Sequence, residues 1–193
     1  MNCMCRLMGS YPSIKPTTPM RNLPHRGIFG SGSGLVEDHS SSLADSQRII
    51  TLPELIEQIG DCLRRCRRYN IDLTVLRLSP DAPLPERDSG PEAMMQTLLS
   101  ISRLRAARLY RLGHEEYLAV FGGELPRKAR RIAEDYRQSI VDLDIRVGGQ
   151  PLTLSIGMCS GPANSNKSSR GYLECARARL ETARQLGGNR VEA

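Results

Sequence analysis

The period of the hydrophobic positions changes several times after residue 48, and each period predicts one element. Apolar residues spaced three and four apart predict helices, whereas short apolar runs and alternation predict strands. The predicted helices cover residues 52–68, 91–105, 126–141 and 171–186. The predicted strands cover residues 71–78, 107–112, 117–121, 144–147 and 152–159.

Boundary signals support these elements. Thr51 followed by Glu54 three residues later forms a capping box that starts the first helix. Gly187 and Gly188 follow the last helix, where a left-handed conformation ends a helix easily. Residues 1–47 are instead rich in Ser, Pro and Gly without a sustained period, which predicts a disordered tail before one folded domain over residues 48–193.

The order of the elements predicts the fold class. Helices interleaved with strands and one hairpin indicate an α+β domain, whose mostly antiparallel central sheet is flanked by helices in a two-layer arrangement. We expect the strand at 71–78 and the hairpin at 107–121 near the middle of the sheet. The end of that strand and the tip of the hairpin can then converge on one edge.

Composition and charge narrow the setting. The chain of 193 residues is 39% hydrophobic and lacks an apolar run of about 18 residues, so no membrane span is expected. Its start lacks the apolar segment of a secretory signal, which favours a cytoplasmic location. The net charge of +6 lies mostly in arginine clusters, but six tyrosines, two phenylalanines and no tryptophan make a poor base-stacking platform. Solvated helix faces are therefore favoured over a nucleic-acid surface.

The six cysteines do not have the spacing of a zinc site. Cys62 and Cys66 lie four apart on the apolar face of the first predicted helix, which predicts burial in the core. Cys159 and Cys175 lack a paired Cys or His at ligand spacing. The remaining pair, in a C-x-C arrangement at residues 3–5, is a weak metal motif.

The strongest candidate chemistry is the sequence Gly113-His114-Glu115-Glu116-Tyr117 between two apolar runs. We expect a hairpin with a positive φ at Gly113 and two carboxylates at its tip. Paired carboxylates are ligands for a hard divalent cation. The alternatives are a solvated turn or neutralisation of the acidic pair by neighbouring arginines, and His114 could respond to pH or contact a partner.

This sequence resembles the signature of GGDEF domains, the diguanylate cyclases that join two GTP molecules into cyclic di-GMP. Relative to that signature, His114 replaces the second Gly, Glu115 replaces Asp and Tyr117 replaces Phe. Four further blocks are similar to the family in the right order, namely Thr51 to Pro53, Tyr69 to Asp81, Leu152 to Gly157 and Ala176 to Val191. The resemblance covers roughly residues 49–191 and implies the palm-like nucleotidyl-cyclase fold.

The resemblance also implies an incomplete catalytic site. The family holds its metal ions with an Asp at the end of the first strand and with the hairpin pair. Here Glu115 and Glu116 remain as candidate Mg²⁺ ligands, but Ser79 replaces the Asp. The Pro-rich run at 82–85 replaces a segment that holds phosphates and guanine. Arg184 stands where the family has a phosphate-binding Lys, which makes it the candidate nucleotide-binding residue.

Two more departures point to a degenerate domain. His114 fills a position where a Gly lets the nucleotide approach the backbone, and the family's inhibitory R-x-x-D sequence would begin at Leu104 and end at Ala107. The resemblance therefore implies a domain with a vestigial motif, no efficient cyclic di-GMP synthesis and no cofactor unless residual activity uses Mg²⁺. A protein partner in bacterial signalling is the expected ligand, with GTP or cyclic di-GMP as alternatives. The competing interpretation is a weak diguanylate cyclase that uses Glu115, Glu116 and Asp81.

Overall fold

The computed structural model describes residues 49–84 and 90–193. The predicted tail over residues 1–47 and its C-x-C motif lie outside the described residues, so the division of the chain at residue 48 stays a prediction. None of the helices in the described ranges is both long and apolar enough to cross a membrane.

The described part of the chain contains four helices and seven strands. The helices are α1 (Leu52–Tyr69), α2 (Gly90–Leu104), α3 (Pro126–Val141) and α4 (Ser169–Gln185). The strands are β1 (Asp72–Pro80), β2 (Arg108–Arg111), β3 (Tyr117–Gly122), β4 (Arg146–Val147), β5 (Gln150–Pro151), β6 (Leu154–Pro162) and β7 (Val191–Glu192). All four predicted helices are confirmed within two residues at each end.

Five strands form one sheet in the order β2-β3-β1-β6-β7, while β4 and β5 pair separately. Every neighbouring pair in the large sheet is antiparallel except β6 with β7, which is parallel. The predicted α+β class with a mostly antiparallel sheet flanked by helices is confirmed. The sequence did not indicate β5 or β7, because a two-residue strand is too short to show a period.

Helices cover both faces of the sheet, so the prediction of two layers is wrong. One apolar cluster joins α1 and α4 to Val75 and Leu118, and a second joins α2 and α3 to Leu76 and Ala119. Successive residues of a strand point to opposite faces, so β1 contributes to both clusters. Its near-continuous run of buried residues is typical of a strand that is covered on both sides.

Helix α4 lies unusually close to β6 at Gly157. A Cβ atom at this position would lie 2.1 Å from the carbonyl oxygen of Ala176 and 2.3 Å from the nitrogen of Leu180. Only glycine permits this approach of backbone to backbone. The contact sets the position of α4, and therefore of Arg184 near the end of that helix.

The predicted helix ends are confirmed. The backbone N–H and the hydroxyl of Thr51 both donate to the carboxylate of Glu54, at 3.0 and 2.8 Å. Gly187 and Gly188 follow α4 with φ of 101° and 72°. Cys62 and Cys66 are fully buried on α1, as their spacing predicted.

Candidate functional site

Strands β2 and β3 form the predicted hairpin, and the loop between them spans residues 112–116. The N–H of Leu112 donates to the carbonyl oxygen of Glu116 at 2.8 Å. The guanidinium of Arg111 donates to the carbonyl oxygens of Gly113 and His114, at 2.9 and 3.2 Å. These contacts fix the path of the loop that carries the acidic pair.

The expected positive φ at Gly113 is wrong. Gly113 is not among the residues with a positive φ, and a Cβ atom on it would meet nothing within 4 Å. A loop of five residues spreads the reversal over several dihedral angles, so it does not need the left-handed residues of a two-residue hairpin turn.

Glu116 is paired with an arginine of the neighbouring strand. Arg77 lies opposite Leu118 in the β1–β3 register, which places its side chain diagonally across from that of Glu116 on the same face of the sheet. Arg77 Nε lies 2.5 Å from Glu116 Oε1, and Arg77 Nη2 lies 3.0 Å from Oε2. The side chains are only 20% and 32% exposed. Neutralisation of the pair by an arginine is thus confirmed for Glu116.

Glu115 has a different partner. Its Oε1 accepts a hydrogen bond from the backbone N–H of Leu84 at 2.5 Å. Leu84 belongs to the Pro-rich loop that follows β1, and its side chain is buried. The carboxylate therefore anchors this loop against the hairpin instead of lying in a fully solvated turn.

Ser79, at the position of the expected metal ligand, is buried and bonded to Arg184. Its side chain is on the face of the sheet that α4 covers, and the residue is 3% exposed. Nη2 of Arg184 donates to Ser79 Oγ. Arg184, the candidate nucleotide-binding residue, thus contacts the end of β1.

Asp81 fastens the end of β1 to two other segments. Its carboxylate accepts hydrogen bonds from Thr153 Oγ1 at 2.6 Å, from Ser155 Oγ, and from the backbone N–H of Asn189 at 2.9 Å. The N–H of Asp81 also donates to the carbonyl oxygen of Thr153 at 3.0 Å. Asp81 therefore joins β1 to β6 and to the turn that follows α4.

A cavity of about 490 Å³ opens between these segments. Its lining brings together Asp81, Glu115 and Arg184, with backbone and small side chains from Pro80, Ala82, Pro83, Gly187 and Gly188. Glu116 and the exposed His114 are not part of this lining. The structure thus separates the two hairpin carboxylates, because Glu115 faces the cavity and Glu116 faces Arg77.

The carboxylates as they are arranged do not fit a resident Mg²⁺ ion. A cation at Glu116 would have to displace a bidentate guanidinium, and a cation at Glu115 would compete with the Leu84 N–H. Within residues 49–84 and 90–193, no three His, Cys, Asp or Glu side chains lie close enough together to hold a metal ion.

Tyr117 completes the motif as a core residue. The ring is 1% exposed and belongs to the apolar cluster under α2 and α3. Burial raises the pKa of its hydroxyl. Tyr117 therefore anchors the hairpin to the core, which is a structural role that requires no part in catalysis.

Two of the arginine clusters meet in space. Arg64, Arg65 and Arg68 of α1 and Arg108 of β2 line a second cavity of about 410 Å³, together with Asp61. Arg108 also donates to Gln58 at 3.3 Å. The expectation of solvated helix faces is therefore incomplete for these residues, because Arg108 of β2 lies next to α1 and faces the same cavity as the arginines of that helix.

Sequence reasoning missed two partners at the hairpin, Arg77 and the N–H of Leu84. Arg77 left a signal, because it is a charged residue inside the otherwise apolar strand β1. The bond to Leu84 left none, since a backbone donor in a loop has no signature in the sequence.

Comparison with known proteins finds no matching family model and no matching curated sequence. Solved structures do match. DgcB from Caulobacter crescentus, a coiled coil and GGDEF domain in complex with c-di-GMP, aligns with a TM-score of 0.67 at 14% identity over 80% of this chain and 87% of that one. The active GGEEF domain of a diguanylate cyclase from Vibrio cholerae aligns with a TM-score of 0.63 at 17% identity over 75% and 97%.

The diguanylate cyclase SiaD from Pseudomonas aeruginosa, in complex with its activator SiaC, also aligns. Its TM-score is 0.56 at 18% identity, over 79% of this chain and 64% of that one. At these identities the likeness is one of fold. The chain has the fold of a GGDEF domain.

Proposed function

We propose that this chain is a catalytically impaired GGDEF domain that acts as a binding or interaction module in bacterial cyclic di-GMP signalling. The observation that carries the proposal is the bidentate ion pair between Arg77 and Glu116. A guanidinium is always charged in proteins, so it occupies the carboxylate as a permanent internal cation.

The chemistry of cyclic di-GMP synthesis explains why this matters. Attack of a ribose hydroxyl on an α-phosphate requires metal ions that bridge the phosphates, and those ions need hard oxygen ligands close together. Ser79 supplies no charge, and both hairpin carboxylates already have partners. Breaking one partly buried, charged contact of this kind costs about 1.5–3 kcal/mol. A metal ion would have to offset that cost before it could bind.

The cavity near the hairpin supports the same proposal. Arg184 contacts Ser79 and Glu115 contacts the Pro-rich loop, so each group that would receive a nucleotide already has a partner within the chain. The fold itself, with both apolar clusters intact, is retained. A domain that keeps its packing while its charged groups pair internally is suited to contact a partner.

A protein is the ligand we favour. SiaD, part of which has this fold, was solved in complex with an activator protein, which supports a protein partner here. The DgcB structure contains c-di-GMP, so a nucleotide is the second choice. Arg184 and Glu115 in the cavity would then be the residues to contact it.

The experiment is a product assay on the purified full chain. The protein is incubated with GTP and Mg²⁺, and cyclic di-GMP is measured by mass spectrometry beside an intact diguanylate cyclase at equal concentration. We expect no product above the level of a reaction without protein. Turnover comparable to that of the intact cyclase would overturn the proposal.

A weak diguanylate cyclase is the second candidate, and one observation favours it. Asp81, Glu115 and Arg184 line one cavity, so two carboxylates and a cation do converge there. In this case slow product formation must be lost in Glu115→Ala and must depend on Mg²⁺. Under the interaction proposal neither the wild type nor this variant forms product, and any cellular effect persists in the variant.

A further inference from the structure

Two cysteines and a lysine meet on the face of the sheet covered by α1 and α4, away from the hairpin. Cys159 lies in β6, Cys175 lies in α4, and Lys167 lies in the loop between these elements. Lys167 Nζ is 3.4 Å from Cys159 Sγ and 4.0 Å from Cys175 Sγ. Both sulfur atoms thus share one ammonium group.

The surroundings fix this arrangement. The ammonium of Lys167 lies 5.3 Å from the centre of the Tyr172 ring, which holds it by a cation–π interaction. Helix α4 cannot slide along β6, because its backbone is in contact with Gly157. The two thiols therefore lie beside one ammonium group, on two elements whose relative position is set by packing.

The two thiols differ in their access to solvent. Cys159 is 2% exposed, whereas Cys175 is half-buried. Burial, together with a hydrogen bond between the two thiols, raises the pKa of Cys159 to about 12. Cys159 is thus kept protonated, and Cys175 is the sulfur that a small oxidant can reach.

We propose that Cys159 and Cys175 are a thiol modification site that closes to a disulfide bond on exposure to hydrogen peroxide, with Lys167 promoting the first step. The proposal is independent of the function proposed for the hairpin. A positive charge beside a thiol favours the thiolate, which is the form that reacts.

The reaction balances in two steps. The Cys175 thiolate attacks one peroxide oxygen, so that an S–O bond forms, the O–O bond breaks and hydroxide leaves, to be protonated to water. The Cys159 sulfur then attacks the sulfenic acid, so that the S–S bond forms, the S–O bond breaks and a second water leaves with the Cys159 proton. Two thiols are oxidised and one peroxide is reduced to two waters.

The chain offers an internal control. Cys62 and Cys66 are also close together, one helical turn apart on α1, but both are fully buried. Burial raises the pKa of Cys66 to about 11. Because no peroxide can reach either sulfur in the folded protein, this pair should stay reduced while the Cys159 and Cys175 pair is oxidised.

The test uses the full chain with Cys3→Ser and Cys5→Ser, which removes the thiols that lie outside the described ranges. The protein is treated with hydrogen peroxide, unfolded in an alkylating reagent and digested without reductant for mass spectrometry. We expect a cross-linked peptide joining Cys159 to Cys175 that has lost two hydrogens, with Cys62 and Cys66 alkylated. A cross-link to Cys62 or Cys66, a sulfinic acid at Cys175 without the cross-link, or a lysine–cysteine product that has gained oxygen would overturn the proposal.

The part played by Lys167 is tested by rate. Lys167→Met should slow the loss of the Cys175 thiol to peroxide about tenfold, because it removes the positive charge that lies 4.0 Å from the sulfur. Lys167→Arg keeps the charge and is the matched control, with a rate near that of the parent protein. Equal rates for Lys167→Met and the parent would exclude the lysine from the reaction.

Discussion

Arg77 of β1 holds the carboxylate of Glu116 in β3's entry loop through two parallel hydrogen bonds, at 2.5 and 3.0 Å. This contact gives Glu116 a partner within the sheet. Glu116 was a candidate metal ligand in the sequence, but an arginine of the chain itself supplies its positive charge. The motif is thus built into the packing of the sheet.

The first prediction concerns the strength of this ion pair. A double-mutant cycle with Arg77→Ala and Glu116→Ala should give a coupling energy of about 1.5–3 kcal/mol, because the bonds are charged, bidentate and partly buried. The free energy of unfolding is measured by urea denaturation of the four proteins. A coupling energy near zero would show that the two side chains do not depend on each other.

The control for this cycle is the exposed pair of Arg105 and Asp135, whose side chains are both 43% exposed. A parallel cycle with alanine at these positions should give less than about 1 kcal/mol, since solvent screens exposed ion pairs. Equal coupling energies in the two cycles would contradict the special position of Arg77.

The second prediction concerns the close contact of α4 with β6. Gly157→Ala should destabilise the fold by about 3 kcal/mol, at the upper end of the usual cost of overpacking, because the new methyl group would meet the backbone of Ala176 and Leu180. Gly161→Ala on the same strand is the matched control, since its Cβ atom would meet nothing within 4 Å. Thermal unfolding of both variants gives the comparison, and similar melting temperatures would refute it.

The third prediction concerns Asp81, which links the end of β1 to Ser155 of β6 and to the turn after α4. Asp81→Ala removes the acceptor of three hydrogen bonds, including the one from the fully buried Ser155 hydroxyl. The free energy of unfolding should fall by about 1–2 kcal/mol. Asp61→Ala, at a side chain 42% exposed on α1, should change the stability by less than about 0.5 kcal/mol. Urea denaturation distinguishes the two, and a smaller effect at position 81 would show that its contacts carry no net stability.

The fourth prediction concerns alkaline pH. Burial raises the pKa of Tyr136 to about 12 and that of Cys66 to about 11, above their ordinary values of 10.0 and 9.0. The folded state therefore holds these protons more tightly than the unfolded chain. The stability from these groups is complete below pH 9 and is lost as the pH rises toward 12.

The test compares the pH dependence of stability in Tyr136→Phe with that of the parent protein. The variant should lose stability less steeply between pH 10 and 12, by at most about 1.4 kcal/mol per pH unit. Urea denaturation across this range measures both slopes. The variant also loses the hydrogen bond to Ser102, so the slopes are compared and not the absolute stabilities. Identical slopes would contradict the prediction.

Local signals predicted the helices well. Thr51 with Glu54 and Gly187 with Gly188 mark helix ends through contacts within a few residues, and the spacing of the apolar positions then gives the buried faces. The number of layers was not predictable in the same way. Val75 and Leu76 point to opposite clusters, and only the assembled sheet shows that helices cover both.

In the candidate site, too, the sequence predicted local features but not the contacts between distant segments. Glu115 and Glu116 could be placed at the hairpin from the sequence, because the motif and its flanking strands are contiguous. Their partners could not, since Arg77 meets Glu116 only through the register of β1 against β3. The backbone N–H of Leu84 meets Glu115 only through the path of a loop.

The central claim is that internal contacts of the hairpin carboxylates have replaced the metal and nucleotide contacts of a working cyclase. Calorimetric titration of the full chain with Mg²⁺ and GTP tests it most directly, with Glu116→Ala as the comparison. We predict no saturable binding of GTP at millimolar concentrations, in either protein. Saturable binding of one GTP per chain that requires Mg²⁺ and disappears in Glu116→Ala would contradict the claim.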